Sequence, residues 1–498
     1  MYFFNRISFN AKQTVAMAII SMFMLTACGS SKEEDKKTTN NLSVIKFYNA
    51  SKDSPAIFFT VDENLEDNKK DQVEITFKGI EYTQANKNYE IKPNNYFYEV
   101  AWQNNDSNER KNLKVFDEGS FTVNANAMQL VVLSNSIATP KLNFYNIPIL
   151  DNKDDKENKR FNLRILNTHT NTEGIDVYIS NNNETFNEAK LIGEYSYTEL
   201  SENKKFNQGS YIFYITKAGQ KSVLFKSKAV KYEYPAQYTM VVRENFGAGS
   251  SPYAIDKVAN SFTKAYLDAD AVAKFSAYNA IKTHTLLPSY NNKVDIDIRG
   301  IHQNRNLLAL EKNNLSELLI LNNGDYSIDI KASEKDTYLL RNHLLSLDEN
   351  SSKTFFFYLT ENEIDTNDDG KFDDIAVKVN SLIVNNSARK NLYDHTISII
   401  NLIEDKEFKV IKFYFVRDNE TISSASLTKS VEYAKADSVV LRNNTYQVYA
   451  IAEVDGSSII LSSFEIIIDE KSNNMFMVVE TNVDTVSGYK INIINQSK

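Results

Sequence analysis

The residues best spaced for chemistry lie in the run Asp365-Thr366-Asn367-Asp368-Asp369-Gly370-Lys371-Phe372-Asp373-Asp374. Oxygens at alternate positions converge on one point when a glycine in the sixth place turns the backbone sharply, which is the pattern of a calcium loop. Asp365, Asn367, Asp369 and Asp373 would supply side-chain oxygens and Lys371 its carbonyl. The twelfth position, commonly a bidentate acid, is Ala376, so a last ligand must come from Asp374 or Glu363. The competing reading is that Asp368-Asp369-Gly370 is simply an acidic turn. No helical periodicity flanks the run, so calcium here would stiffen a hairpin and drive no switch.

Other chemistry is thinly represented. His169, His284, His302, His343 and His395 never pair at metal-ligand spacing, and the single cysteine cannot complete a zinc or iron site with them. His169 and His284 follow strand-like runs, where a surface loop histidine is expected. There is no nucleophile elbow, phosphate loop or dinucleotide fingerprint; Gly247-Ala248-Gly249-Ser250-Ser251 comes nearest but belongs to a hairpin. The lone Trp102 reads as a ring at the rim of a core, with sugar stacking or an interface anchor as the alternative. A formal charge of −9, with no basic stripe, argues against nucleic acid.

The one cysteine has a different reading. Arg6 and Lys12 precede an apolar run from Val15 to Ala27, too short for the roughly 20 residues that span a bilayer but suited to a secretory signal. Leu25-Thr26-Ala27-Cys28 resembles the bacterial lipobox, which implies cleavage before Cys28 and its modification by diacylglyceryl and acyl chains. Gly29, where an inner-membrane retention signal would have Asp, implies the outer membrane. Two or three chains give a stable anchor. Residues 28–41, rich in Lys and Glu, are expected to be a tether, and without a second thiol the folded part must hold by packing alone.

The elements that position all this are written four times. A turn residue, a spacer, a Tyr and an apolar residue two places on recur as Asn94-Asn95-Tyr96-Phe97-Tyr98, Gly209-Ser210-Tyr211-Ile212-Phe213, Gly324-Asp325-Tyr326-Ser327-Ile328 and Asn444-Thr445-Tyr446-Gln447-Val448. A period of about 115–120 residues is the size of one β-sandwich and too long for a solenoid unit. Tyr96, Tyr211, Tyr326 and Tyr446 are expected to pack inward with the hydroxyl on a backbone group, after a Gly or Asn turn of positive φ. Each module opens on a strand ending at Asn49, Asn167, Asn279 or Asn401. A second strand follows, plainest in the alternation of Val294, Ile296 and Ile298 with Asp295 and Asp297. Beyond the Tyr come a dense apolar strand, such as Phe355 to Leu359, and a closing strand. About seven strands per module, without helices, predict an all-β chain of four tandem β-sandwich, immunoglobulin-like modules.

The expected division is a signal peptide at 1–27, the tether at 28–41, and modules at 42–150, 160–260, 272–384 and 396–498. Polar joins between them suggest an elongated rod.

Asn49-Ala50-Ser51-Lys52-Asp53-Ser54-Pro55-Ala56 resembles the Asn-Ala-Ser-Pro-Asp-Ala-Pro opening of a domain-of-unknown-function family found in bacterial surface lipoproteins. Gly174-Ile175-Asp176-Val177-Tyr178-Ile179, Gly209-Ser210-Tyr211 and Tyr238-Thr239-Met240-Val241-Val242 extend the likeness through module two. It implies immunoglobulin-like or prealbumin-like sandwiches on the cell surface and brings no catalytic residues. In the immunoglobulin order the corner Tyr lies on the next-to-last strand, whereas about three strands follow it here, so β-sandwich is the level carried forward.

The function expected is that of a non-enzymatic, outer-membrane lipoprotein for adhesion, surface display or ligand binding. It would be a monomer held to the membrane by its lipid, with a surface glycan or protein as partner. The alternatives are an accessory or catalytic part of an extracellular glycan-processing system, for which a crevice with two carboxylates of raised pKa would speak, and a periplasmic scaffold.

Overall fold

A computed structural model of the chain describes residues 43–64, 73–103, 113–170, 173–335, 337–366, 370, 372–387, 389 and 391–496. The signal peptide, Cys28 and the tether lie outside the described residues, as do Asn367, Asp369 and Lys371 of the acidic run.

From Ser43 onward the chain is a tandem array of four β-sandwiches. In module one the eight strands are Ser43–Asn49, Ile57–Asp62, Glu74–Ile80, Tyr89–Ile91, Asn94–Gln103, Leu113–Val123, Ala127–Ser134 and Lys141–Pro148. They form two sheets, of order 4-1-7-8 and 3-2-5-6. The same two orders recur in every module, always with the first strand parallel to the seventh. There are thus eight strands in the shared plan, against about seven expected; the fourth is only three or four residues long in modules one to three. Module two runs past residue 260: Thr263–Tyr266 pairs with Tyr253–Val258 and extends one sheet. Its sixth strand is broken into Phe225–Lys226 and Val230–Tyr232.

Each module has its own core, centred on Phe47 and Phe59, on Phe161 and Phe213, on Phe275 and Phe355, and on Phe413 and Met477. Alternation accounts for the second strand of module three, where Val294, Ile296 and Ile298 are buried and the intervening aspartates are half-exposed. The first and seventh strands are buried on both faces. In module one, Ile45, Phe47, Val131 and Leu133 face the module's own core, while Tyr48, Leu130 and Val132 point the other way into a second apolar cluster. That explains the unbroken apolar runs of the seventh strands.

The outer faces so produced dock the modules in pairs, which overturns the expected rod. Tyr48, Leu130, Val132 and Ile147 of module one pack on Leu166, Val241 and Val258 of module two. Tyr278, Phe356 and Val384 of module three pack in the same way on Ile400, Leu402, Phe476 and Val478 of module four. Apolar sheet faces of this kind are stable only when covered, so the links between partners hold packed modules and do not act as hinges. The two pairs also touch. Asn350 of module three enters the Gly247–Gly249 turn of module two, and the join near residue 390 lies on module one, with the Arg389 Nη2 donating to the Ser54 carbonyl at 2.9 Å. Tyr393 stacks on Trp102, ring centres 5.0 Å apart.

Candidate functional site

The repeated residues are structural bolts. The hydroxyls of Tyr96, Tyr211, Tyr326 and Tyr446 donate to the carbonyls of Lys92, Asn207, Asn322 and Arg442, in each case four residues upstream, at 2.9, 2.6, 2.8 and 3.0 Å. This is a tyrosine corner written on the fifth strand. Of the four turn residues opening the phrase, only Gly324 has a positive φ; Asn94, Gly209 and Asn444 do not, so left-handed geometry is not why they recur.

The asparagines of the four first strands form a second bolt. Asn49, Asn167, Asn279 and Asn401 are all buried. Each Nδ2 crosses from the first strand to the other sheet and donates to a carbonyl at the end of the third strand: Ile80 at 3.0 Å, Tyr195 at 3.1, Leu310 at 2.9 and Val431 at 3.1. Each Oδ1 accepts the backbone N–H two residues on, at 3.0 to 3.2 Å. A carboxamide fits because it offers a donor and an acceptor at once and is uncharged. Its recurrence at one offset in four first strands was the signal. The backbone carbonyl of each Asn accepts from Thr83, Thr198, Asn313 or Ala434, and these four share a positive φ of 56–68°. The positive-φ turn of the repeat therefore sits before the fourth strand.

The acidic run forms the tip of the hairpin between Ser352–Ile364 and Asp374–Asn385. Gly370 has φ +82°, and its N–H donates to Asp365 Oδ2 at 2.6 Å. The Asp373 carboxylate accepts from the backbone and hydroxyl of Thr366 at 2.9 Å, bonds that lower its pKa. The first acid and the sixth-place glycine are thus brought together as a wrapped loop requires, with the half-buried Asp365 and the exposed Asp373 at its ends. Among the described residues no cluster of three or more His, Cys, Asp or Glu could hold a metal.

His169 is a buried loop residue and not a surface one; its ring lies 4.6 Å from that of Tyr253, and burial lowers its pKa. His395 is buried too, its Nε2 3.0 Å from Asn443 Oδ1. Trp102 is buried at the core's rim, between that core and Tyr393, with the Lys114 ammonium 5.1 Å from its ring centre.

A cleft of about 790 Å³ lies on module two, within the range that ligand pockets occupy. The loop after Ile175–Asn181 contributes Asn182, Asn183 and Phe186, the turn before Tyr253–Val258 Pro252, and the join to module three Asp268 and Asp270. Phe186 is held edge-on against Tyr178, ring centres 5.1 Å apart. Burial raises Asp268, whereas hydrogen bonds from Asn181 lower Glu184 on the opposite wall. The two carboxylates with raised pKa that would favour an enzyme are therefore not the pair found here.

No protein-family model and no curated protein matches the chain. Solved structures with some likeness include the Bacillus anthracis TIE protein, at 9% identity over 90% of this chain and 75% of that one with a TM-score of 0.14. The major pilin subunit BcpA of Bacillus cereus matches at 11% identity over 65% and 99%, with a TM-score of 0.14. The pilus adhesin SpaC from Lactobacillus rhamnosus GG matches at 9% over 85% and 55%, with a TM-score of 0.15.

Proposed function

We propose that the protein is a non-enzymatic lipoprotein, held in the outer membrane through acyl chains on Cys28, whose sandwich modules bind a surface glycan or protein. The observation that carries the binding reading is the module-two cleft. Its walls mix carboxamides and carboxylates with the apolar faces of Phe186 and Pro252, a combination that takes a polar ligand through hydrogen bonds and its apolar face through stacking. The anchor reading is supported by the basic, apolar and Leu25–Cys28 segments standing in order. Calcium, in this reading, ties down the Asp365–Asp373 tip as a structural ion. The surface-lipoprotein family resembled by Asn49–Ala56 agrees with this assignment.

The experiment has two arms. Metabolic labelling with an alkyne fatty acid should tag the wild type and not Cys28→Ser, and protease added to intact cells should remove the protein; survival of the protein would point to the periplasm and sink the surface reading. The purified chain should then bind members of a panel of polysaccharides and surface proteins, with Asn183→Ala and Phe186→Ala losing that binding. Binding that survives both substitutions would move the site elsewhere.

A further inference from the structure

We propose that the first module pair binds one small monovalent inorganic anion, chloride by size and charge, between Lys46 and Arg164. Lys46 lies in the middle of module one's first strand on the face that docks module two, and it is only 2% exposed. Its ammonium donates to two neutral acceptors, the carbonyls of Ala259 at 2.6 Å and Asn260 at 3.1 Å. An ammonium has three N–H bonds. Arg164, the equivalent residue of module two (three places before Asn167, as Lys46 is before Asn49), donates through Nη1 to the Ser201 carbonyl at 2.9 Å. Its Nε is buried and has no hydrogen-bond partner. Both side chains line one cavity of about 20 Å³, larger than the roughly 10–15 Å³ that a water-sized sphere needs.

The cavity's charge is one-sided. Its other lining groups are neutral, among them Met128, Leu130, Gln237 and Tyr238, and no carboxylate borders it. Glu202 comes within 3.9 Å of Arg164 but is fully exposed, so water screens it. A buried ammonium facing a half-buried guanidinium whose Nε has no acceptor is costly, and an anion between them supplies what the protein does not. Burial lowers the Lys46 pKa to about 8, which leaves the ammonium charged at neutral pH. The second pair provides an internal contrast. Its residues at the same positions are Ser276 and Ser398, bonded to Thr354 and Gln496, and its own cavity is bordered by Glu480 and Glu404 together with Lys282 and Lys312. The site belongs to the first pair alone.

Thermal unfolding of the full chain in sodium chloride and in sodium gluconate at equal ionic strength tests this, because gluconate is too large for the cavity. Chloride should raise the midpoint by a few degrees, as a ligand bound to the native state does. Lys46→Met and Arg164→Gln should each erase the difference between the salts, and bromide should give an anomalous peak between the two nitrogens in a crystal. Equal midpoints for the wild type would mean that water alone fills the cavity, and a salt difference surviving Lys46→Met would place the effect elsewhere; either overturns the proposal. Should Lys46→Met fail to fold, Arg164→Gln carries the same comparison.

Discussion

The Tyr48 hydroxyl of module one donates to the Asp256 carboxylate of module two at 2.6 Å, and Tyr278 of module three makes the same reach to Glu480 of module four at 3.2 Å. The two tyrosines each stand one place before a bolt asparagine, so the docking of partners is itself a repeated design. The acceptors are treated differently. Asp256 is held by Arg243 through two bonds of 2.8 and 3.0 Å, whereas Glu480 is buried beside neutral Tyr278 and Asn492.

The Glu480 contact makes the second pair pH-dependent. Burial raises its carboxyl from 4.5 to about 7. Between those values the folded state keeps a proton that the unfolded chain has lost, so stability falls as pH rises from about 4.5 to about 7 and stays at its lower value above. Glu480→Gln keeps an acceptor for Tyr278 and removes the charge. It should match the wild type near pH 5 and exceed it near pH 8 by about 2–3 kcal/mol, read from urea midpoints. Parallel pH profiles of the two proteins would show that the carboxylate is not the cause.

The bolt asparagines should be among the least replaceable residues of the chain. Asn279→Ala leaves the Leu310 carbonyl and the Ile281 N–H unpaired inside the core, and each orphaned group costs about 1–3 kcal/mol. A loss of about 2–5 kcal/mol in denaturant unfolding is expected, with Asn401→Ala alike, against less than about 0.5 kcal/mol for the exposed Asn187→Ala. A loss below about 1 kcal/mol would mean that water enters and replaces the bolt.

Thr83 and Thr198 occupy the positive-φ turn before the fourth strand, at 68° and 64°. A β-branched residue is ill suited there, and module three has Asn313 at the equivalent place. Thr198→Asn should stabilise by about 0.5–1 kcal/mol, seen as a higher melting temperature, and Thr198→Val should show no gain.

Much of this architecture is legible in the residues themselves. The four-fold phrase, the alternation around Val294 and the dense seventh strands are local patterns, and a strand's burial is largely a local property. What stayed hidden depends on pairs of residues far apart in sequence. The apolar run Leu130–Leu133 announces a strand covered on both sides but not what covers it, and Lys46 amid that docking face reads as solvent-exposed until Arg164 is placed opposite. The Asn recurring in each first strand is visible and its role is not, because the role lies in a carbonyl some thirty residues away on the other sheet. The module-two cleft is hidden for the same reason: its walls come from segments around Asn183, Ser251 and Asp268, and although the Gly247–Ser251 turn stands out in the sequence, nothing there shows which segments meet it.

The acidic hairpin is testable by linkage. If calcium occupies the Asp365–Asp373 tip, a calcium concentration of about ten to thirty times the dissociation constant stabilises by about 1.4–2 kcal/mol. The melting temperature should fall when a chelator is added and recover with calcium, and Asp373→Asn should make the curve indifferent to either. The readout is the difference with and without calcium, because the substitution also disturbs the Thr366 bonds. Identical wild-type curves in calcium and chelator would remove the ion from the account.

The joint between the pairs gives the sharpest prediction, because one side chain sits where another could not. Asn350 lies so close to Gly247 that a Cβ there would fall 1.9 Å from its Nδ2, and one at Gly249 would fall 2.7 Å from the Ala271 Cβ. Asn350 answers by accepting from the Gly249 N–H at 2.8 Å and exchanging bonds with Asn245 at 2.8 and 3.1 Å. Glycine is needed here for close approach and not for ligand phosphates. Gly247→Ala should therefore open the joint between modules two and three, detected as faster proteolysis of the segment around residue 270 and a larger radius of gyration in scattering. Asn350→Ala alone should cost about 1–2 kcal/mol of lost hydrogen bonds. Combined with Gly247→Ala it should cost less than the sum, since the smaller side chain makes room for the new methyl. Simple additivity would show that the two residues do not meet in solution, and the pairs would then be held together at the Arg389 and Tyr393 contacts and not at this turn.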